Sequence, residues 1–259
     1  MDLGISGKKA LVTGAGRGIG KSIALCLARE GVIIAAVSRS ANDMSGLMEE
    51  LSKYGTGHVG IAKDLMPDKA PDELFNKLTC SDFGEIDIVI HNLGGTLDIK
   101  NPFCSIEDWR RIFRFNLEIA VQINNLITPE MIKNKWGRIV HVSSIASMEN
   151  QGPVTYCAIK AALTAYTRSL GGVLAPEGIV VSAILPGAVF TQNGYWDTTL
   201  RENPEHVRKF LSERQRIGRF GRTEEIGNYV AFLCSELASF NTGSIVPIDG
   251  SQGRGYFGQ

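Results

Sequence analysis

A tyrosine and a lysine one helical turn apart, in Tyr156-Cys157-Ala158-Ile159-Lys160, put a phenol and an ammonium where together they can move a proton. Hydride delivery to a ketone leaves an oxyanion that must be protonated, and the best donor has a pKa between that of a free phenol and neutrality. Tyr156 can be that donor. A free tyrosine titrates near about 10, and a lysine ammonium beside it is expected to favour the phenolate and bring the value down. Residues four apart are neighbours on any helix, so the pair alone carries little. Its weight comes from Thr13-Gly14-Ala15-Gly16-Arg17-Gly18-Ile19-Gly20 upstream. That run follows the apolar Ala10-Leu11-Val12 and opens the helical pattern Ile19, Ile23, Leu27, where a phosphate-binding strand-to-helix turn belongs.

Gly14, Gly18 and Gly20 remove the Cβ atoms that would block a tight turn and the close approach of backbone N–H groups to a pyrophosphate. The helix beginning near Gly18 then points its positive end at the phosphates. The choice of nicotinamide cofactor falls at the end of the second strand, where an acid would accept from the ribose hydroxyls of NAD and repel a 2′-phosphate. Here the chain reads Val37-Ser38-Arg39-Ser40, without an acid. Arg39, Arg17 and the Ser38 hydroxyl together suit a 2′-phosphate, so NADP(H) is expected over NAD(H). A ketone also needs a hydroxyl to polarise it, and Ser143 and Ser144 stand near the end of a strand-like run. Ser144 is favoured because it comes where that strand ends.

The elements that must hold these groups alternate along the chain. Apolar runs at residues 9–12, 32–37, 58–62, 86–91, 138–142, 180–185 and 244–248 read as seven strands, nearly continuous in Val, Ile, Leu and Ala as strands buried on both faces must be. Helical patterns fall at 21–29, 44–53, 72–78, 106–133, 154–175 and 224–235, with Ser105-Ile106-Glu107-Asp108 as a capping sequence. The expected fold is α/β: a single-domain Rossmann fold over residues 1–259, with a doubly wound, parallel seven-stranded sheet and helices on both faces. Residues 190–217, long, polar and punctuated by aromatics, read as a flap over the site.

Composition excludes several classes. Lys plus Arg and Asp plus Glu are equal at 27 each, with no long basic tract, so nucleic acid is not expected as a partner. No stretch approaches roughly 18 uncharged apolar residues, and the N-terminus lacks the pattern of a signal peptide. A soluble, cytoplasmic protein is expected. The cysteines at 26, 80, 104, 157 and 234 are odd in number and scattered, and read as reduced core residues. His58, His91, His141 and His206 lack metal-ligand spacing, and no metal is expected; His141 reads as a packed strand residue. Trp109, Phe113 and Phe115 read as core or subunit contact.

These residues give the chain a resemblance to the short-chain dehydrogenase/reductase family along its whole length, near the branch of 3-oxoacyl thioester reductases and sugar and polyol dehydrogenases. The matching motifs are the glycine run 13–20, Asp64-Leu65, His91-Asn92-Leu93-Gly94, Asn116-Leu117, Ser143-Ser144, Tyr156 with Lys160, Pro186-Gly187 and Asp249-Gly250. His91, Leu93 and Ser251 depart from the pattern, which commonly has Asn, Ala and Gly. The resemblance implies Asn116, Ser144, Tyr156 and Lys160 as the catalytic set, with Asn116 holding a water that links Lys160 to solvent and Lys160 reaching the nicotinamide ribose. The family's usual serine-to-tyrosine spacing selects Ser143 instead of Ser144. Besides the glycines, Arg17, Ser38 and Arg39, it adds Ile19, Asp64, Leu65, Asn92 and Gly94 to the cofactor contacts. Tyr156, Lys160, Pro186, Gly187, Val189 and Thr191 complete that set. It also implies packing of the helical regions 106–133 and 154–175 against copies of the chain in a homotetramer or homodimer.

The substrate is a small carbonyl or alcohol compound. Glu149, Asn150 and Gln151, with Tyr195, Trp196 and Asp197 of the flap, read as a polar pocket lining. A reductase working on an acidic carrier protein should present basic residues at its entrance, whereas Ala175-Pro176-Glu177-Gly178 ends the active helix and Lys135 and Arg168 are the nearby cations. Two activities therefore stand together, 3-oxoacyl reduction and sugar or polyol oxidoreduction. A third, remote reading is a cofactor sensor without turnover, which would be expected to lack the tyrosine or the lysine.

Overall fold

The computed structural model describes residues 1–254, and its seven strands form one parallel sheet in the order β3-β2-β1-β4-β5-β6-β7. They are β1 (Lys9–Thr13), β2 (Ile33–Ser38), β3 (Val59–Ala62), β4 (Ile88–His91), β5 (Gly137–Val142), β6 (Ile179–Pro186) and β7 (Ser244–Ile248). β5 and β6 are buried along their whole length. Helices on both faces make the buried apolar runs possible. Successive side chains point to opposite faces. Ala10 and Val12 thus pack with α1 (Gly18–Arg29), α2 (Ala41–Leu51) and α9 (Thr223–Leu233), while Leu11 packs with α3 (Ala70–Thr79), α5 (Ile119–Asn134) and α6 (Val154–Leu174). At the α1–α9 crossing a Cβ on Gly227 would stand 2.6 Å from Cys26 Sγ, so glycine sets that helix separation.

Strand order reverses between β1 and β4, and the crevice that forms at such a switch is where a doubly wound sheet binds ligands. The expected long helix 106–133 divides into α4 (Ile106–Phe113), a π-helical turn Arg114–Glu118, and α5. π-turns of this kind concentrate at functional positions. Helix α2 begins earlier than the apolar pattern indicates, because the Ser40 hydroxyl accepts from the Asp43 N–H at 3.1 Å and caps it.

The flap contains two helices that its polar composition hid, α7 (Tyr195–Glu202) and α8 (Pro204–Arg214). Trp196 packs with ring centroids 4.2 Å from Phe210 and 4.9 Å from Phe220. The flap joins the body through Phe190 N–H to Gly221 O and Ile217 N–H to Gly250 O. Of the cysteines only Cys26 and Cys234 are core residues; Cys80 is exposed because α3 ends at it, and Cys104 and Cys157 are intermediate. Among the described residues no helix is long and apolar enough to cross a membrane.

Behind the site, the adjacent strands β4 and β5 bring His91 opposite His141, with rings stacked 5.0 Å apart. Asn124 Oδ1 meets His91 Nε2 at 2.8 Å, while its amide nitrogen lies 3.3 Å from His141 Nε2 and donates to Tyr166 Oη at 3.2 Å. His141 Nδ1 pairs with Thr167 Oγ1 at 2.9 Å. Burial disfavours the imidazolium, holding His91 down at about 4 and His141 well below its ordinary value, the latter helped by His91 and Lys160 nearby. The unfolded chain takes up these protons near about pH 6.5 and the folded chain does not, so stability is complete above that pH and is lost as pH falls towards 4. His91 alone accounts for about 3 kcal/mol of that loss at one pKa unit per about 1.4 kcal/mol. His91→Asn is expected to flatten the fall in melting temperature between pH 6.5 and 5; an unchanged slope would assign the loss to other groups.

Candidate active site

The glycine run is built as a cradle. Gly14 and Gly18 have φ of +65° and +57°, in the left-handed region that favours glycine. A Cβ on Gly20 would lie 2.3 Å from Gly14 O, and one on Gly16 would lie 2.6 Å from Ser38 Oγ. Helix α1 has no side-chain cap, so the amide end of its first turn is left to whatever enters the cavity. Thr13 fixes this end of the sheet: its buried hydroxyl donates to Ile90 O at 3.2 Å and accepts from the N–H groups of Asn92 and Leu93 at 3.1 and 3.2 Å. Asn92 Nδ2 returns bonds to Thr13 O and Gly14 O at 3.2 and 3.0 Å, so its amide holds the loop together instead of standing free for a ligand.

A cavity of about 750 Å³ opens beyond the carboxyl ends of β1, β2 and β4. Of the sequence-selected residues, Gly14, Arg17, Gly18, Ile19, Ser38, Arg39, Asp64, Leu65, Asn92, Gly94 and Thr191 line it. Gly20, Tyr156, Lys160, Pro186, Gly187 and Val189 are not in its wall. Gly20 packs behind Gly14, and Pro186 pairs with Ile248 in the sheet. Gly187 lies against Asp249 and Gln252, and Val189 bridges to Gly221. Sequence reasoning passed over Gly16, Asp43 and Lys63, which also line the cavity. It also missed Arg114, which bonds the Leu65, Met66 and Pro67 carbonyls at 3.4, 3.1 and 3.2 Å and so fixes the loop carrying Asp64 and Leu65. An arginine in an amphipathic helix gives no sign of such a task.

Two of the proposed catalytic side chains lie directly behind Gly94 of the cavity wall, where a Cβ would stand 2.7 Å from Asn116 Oδ1 and 3.0 Å from Lys160 Nζ. Lys160 is 2 % exposed and donates to Val142 O at 2.9 Å. Its burial pushes the ammonium down to about 8. Asn116 sits in the π-turn with its amide donating to Gly95 O and Ile112 O and its oxygen accepting from Gly95 N–H, each at 2.9 Å. Both of its donors are thus occupied by backbone, and what the side chain demonstrably does is fix the Gly94-Gly95 turn.

The Tyr156 phenol departs from the sequence expectation. Burial raises its pKa, the Ser144 hydrogen bond opposes that shift, and Cys157 adds to it. Lys160 Nζ lies 5.7 Å from the ring centroid and spends a bond on Val142 O, so the lysine does not bring the phenol down here. The two serines separate clearly. Ser143 is buried and donates to Lys160 O at 3.2 Å, whereas Ser144, half-buried where β5 ends, accepts from Ala146 N–H at 3.1 Å and hydrogen bonds Tyr156.

The polar loop 149–151 is held from the C-terminal side. Gln252 Oε1 accepts from Ala188 N–H at 2.7 Å and its amide donates to Gln151 Oε1 at 3.0 Å, while the Arg254 N–H donates to Glu149. Ser251 adopts φ +62° in place of the glycine common in the motif. Asp197 accepts from Asn193 N–H and pairs with Arg201, and the Trp196 ring packs into the aromatic cluster of the flap.

A glycine-walled crevice at the sheet's switch point, with a buried lysine behind its wall, a tyrosine beside that lysine and a serine bonded to the tyrosine, defines the short-chain class of α/β oxidoreductase. Residues 14–251 match the family model described as Enoyl-(Acyl carrier protein) reductase. Across 252 residues the chain is 36% identical to the 3-oxoacyl-(acyl-carrier-protein) reductase FabG of Aquifex aeolicus, covering 96% of this chain and 99% of that protein. Its fold matches L-sorbose reductase from Gluconobacter frateurii, complexed with NADPH and L-sorbose, with a TM-score of 0.92, 28% identity and 99% and 100% of the two chains covered. It also matches a 3-oxoacyl (acyl-carrier-protein) reductase from Agrobacterium tumefaciens with NADP bound, at a TM-score of 0.89 and 27% identity over 96% of each chain. The chain belongs to the short-chain dehydrogenase/reductase family and is an oxidoreductase acting between C=O and CH–OH groups.

The division of labour between the serines is open to test. Ser144→Ala is expected to slow ketone reduction by about 10²-fold or more, the scale of losing one oxyanion donor. Ser143→Ala should leave the rate within a few fold. A crippled Ser143→Ala beside a mild Ser144→Ala would exchange the two assignments.

Proposed function

We propose that this protein is a single-domain, NADP(H)-preferring carbonyl reductase and alcohol dehydrogenase of the 3-oxoacyl-reductase type, with Tyr156 as acid and base. The observation that carries this is a Ser144–Tyr156–Lys160 cluster whose buried lysine lies behind Gly94 in the wall of a cavity that also holds Arg17, Ser38 and Arg39. Arg17 and Arg39 form no ion pair among the described residues, so both guanidinium groups are available to a 2′-phosphate. The glycine cradle and uncapped α1 terminus fit a pyrophosphate. The nicotinamide supplies or takes the hydride when bound. Ser144 then hydrogen bonds the carbonyl oxygen and Tyr156 delivers its proton there. Lys160 holds positive charge behind the phenol, and Asn116 keeps the Gly94-Gly95 turn in place.

The sugar or polyol reading keeps its standing through the Gln252–Gln151–Glu149 chain, which makes the wall beside the active loop polar. The structural match to a sorbose reductase over nearly the whole chain agrees with it. Assays of 3-oxoacyl thioesters against keto sugars with NADPH separate the two. The proposed compartment is the cytoplasm, in keeping with five unpaired cysteines, and the proposed assembly is a homodimer or homotetramer.

Tyr156→Phe keeps ring volume and should still bind NADPH while turnover falls by about 10² to 10⁴. Retained turnover would place the acid elsewhere. Since burial holds Lys160 near 8 and holds the phenol protonated, kcat/KM for reduction should fall as pH rises through about 8, when the ammonium is lost. A profile flat to high pH would remove Lys160 from that role. NADPH should be used more efficiently than NADH, and Arg39→Asp should weaken NADPH binding by about 1.5–3 kcal/mol; an unmoved affinity would show Arg39 to be only solvated.

A further inference from the structure

The ribose end of the cavity carries an acid that the sequence motif does not. Asp43 comes four residues after Arg39, in the first turn of α2, with its N–H on the Ser40 hydroxyl. Its Cβ lies 3.0 Å from where a Cβ on Gly16 would stand, and Ser38 Oγ lies 2.6 Å from the same point. The glycine loop, the end of β2 and the start of α2 therefore meet around one spot on the cavity wall. The Asp43 carboxylate has no hydrogen bond or ion pair among the described residues. The third cation of this wall is already engaged, because Lys63 Nζ sits 2.6 Å from Glu73 Oε2. The cavity wall here thus carries two unpaired guanidiniums and one unpaired carboxylate among the described residues.

We infer that Asp43 is a cofactor-selecting residue that opposes Arg17 and Arg39, so that the enzyme also accepts NADH and the ratio between the two cofactors is set by this carboxylate. An ionised carboxylate at this place accepts hydrogen bonds from a ribose diol and repels a 2′-phosphate. The guanidiniums do the opposite, gripping phosphate and gaining little from a hydroxyl. A wall with both charges lowers the preference that two arginines alone would give. The inference rests on the proposed NADP(H) reading only for which cofactor leads, since the carboxylate acts on the ratio whichever leads.

The test is steady-state kinetics of wild type, Asp43→Asn and Asp43→Ala with both cofactors, together with the affinity of AMP with and without a 2′-phosphate. Both variants should raise kcat/KM for NADPH and lower it for NADH, moving the ratio by about tenfold or more, chiefly through KM. The gain with the 2′-phosphorylated nucleotide should shrink as salt is added, as a removed repulsion must. A ratio within twofold of wild type would overturn the inference, leaving the NADP(H) reading untouched. Parallel losses with both cofactors would also overturn it, by showing that Asp43 serves only the start of α2. A wild type that prefers NADH, with variants shifted towards NADPH, would refute the proposed preference while supporting the role of Asp43.

Discussion

The hydroxyl of Thr13 is the contact on which the rest of the site depends. At the switch point, β1 and β4 stop being partners and their chains leave in different directions, which takes the N–H groups of Asn92 and Leu93 out of the sheet's ladder. One buried oxygen accepts both and donates to Ile90 O. Asn92 completes the joint with its two bonds back to Thr13 and Gly14. The crevice therefore has a fixed width, Gly14 has its turn, and Gly94 is delivered to Asn116 and Lys160.

Electrostatics at the inner end follow from burial more than from pairing. The lysine loses some of its hold on its proton and the tyrosine gains some, and their hydrogen bonds go to backbone and to serine. Near neutral pH the phenol is then protonated and the ammonium still charged. That is the state the proposed carbonyl reduction needs. Ser143 and Asn116 matter to this arrangement through what they hold: Ser143 steadies the helix backbone at Lys160, and Asn116 steadies the turn at Gly94.

The architecture was legible because strands covered on both faces must be apolar throughout, and β5 and β6 are buried residue by residue. The glycine cradle was legible for a similar reason, since only glycine tolerates the turn at Gly14 and the contact at Gly20. Other features left no mark of that kind. Arg114 looks like any helix charge until its carbonyl partners are known. The π-turn keeps a helical composition while inserting one residue. α7 and α8 bury only Val207 among them, so their pattern reads as loop. The phenol's pKa ran opposite to expectation because spacing along a helix reports proximity, and says nothing about which partner the ammonium has chosen. Asp43 escaped because a cofactor-selecting acid was sought at the strand end, and the fold returns one from the following helix.

The flap's aromatic cluster has a mechanical consequence. Trp196, Phe210 and Phe220 give α7 and α8 a small nucleus of their own, independent of the sheet's core. Were the segment to move, the Trp196–Phe210 contact would hold α7 and α8 together as one plate, while Phe220 would stay with the Gly221 bonds to Ala188 and Phe190. Such a movement would break a few main-chain bonds and the packing on Phe220, and the two helices would have no need to melt and reform.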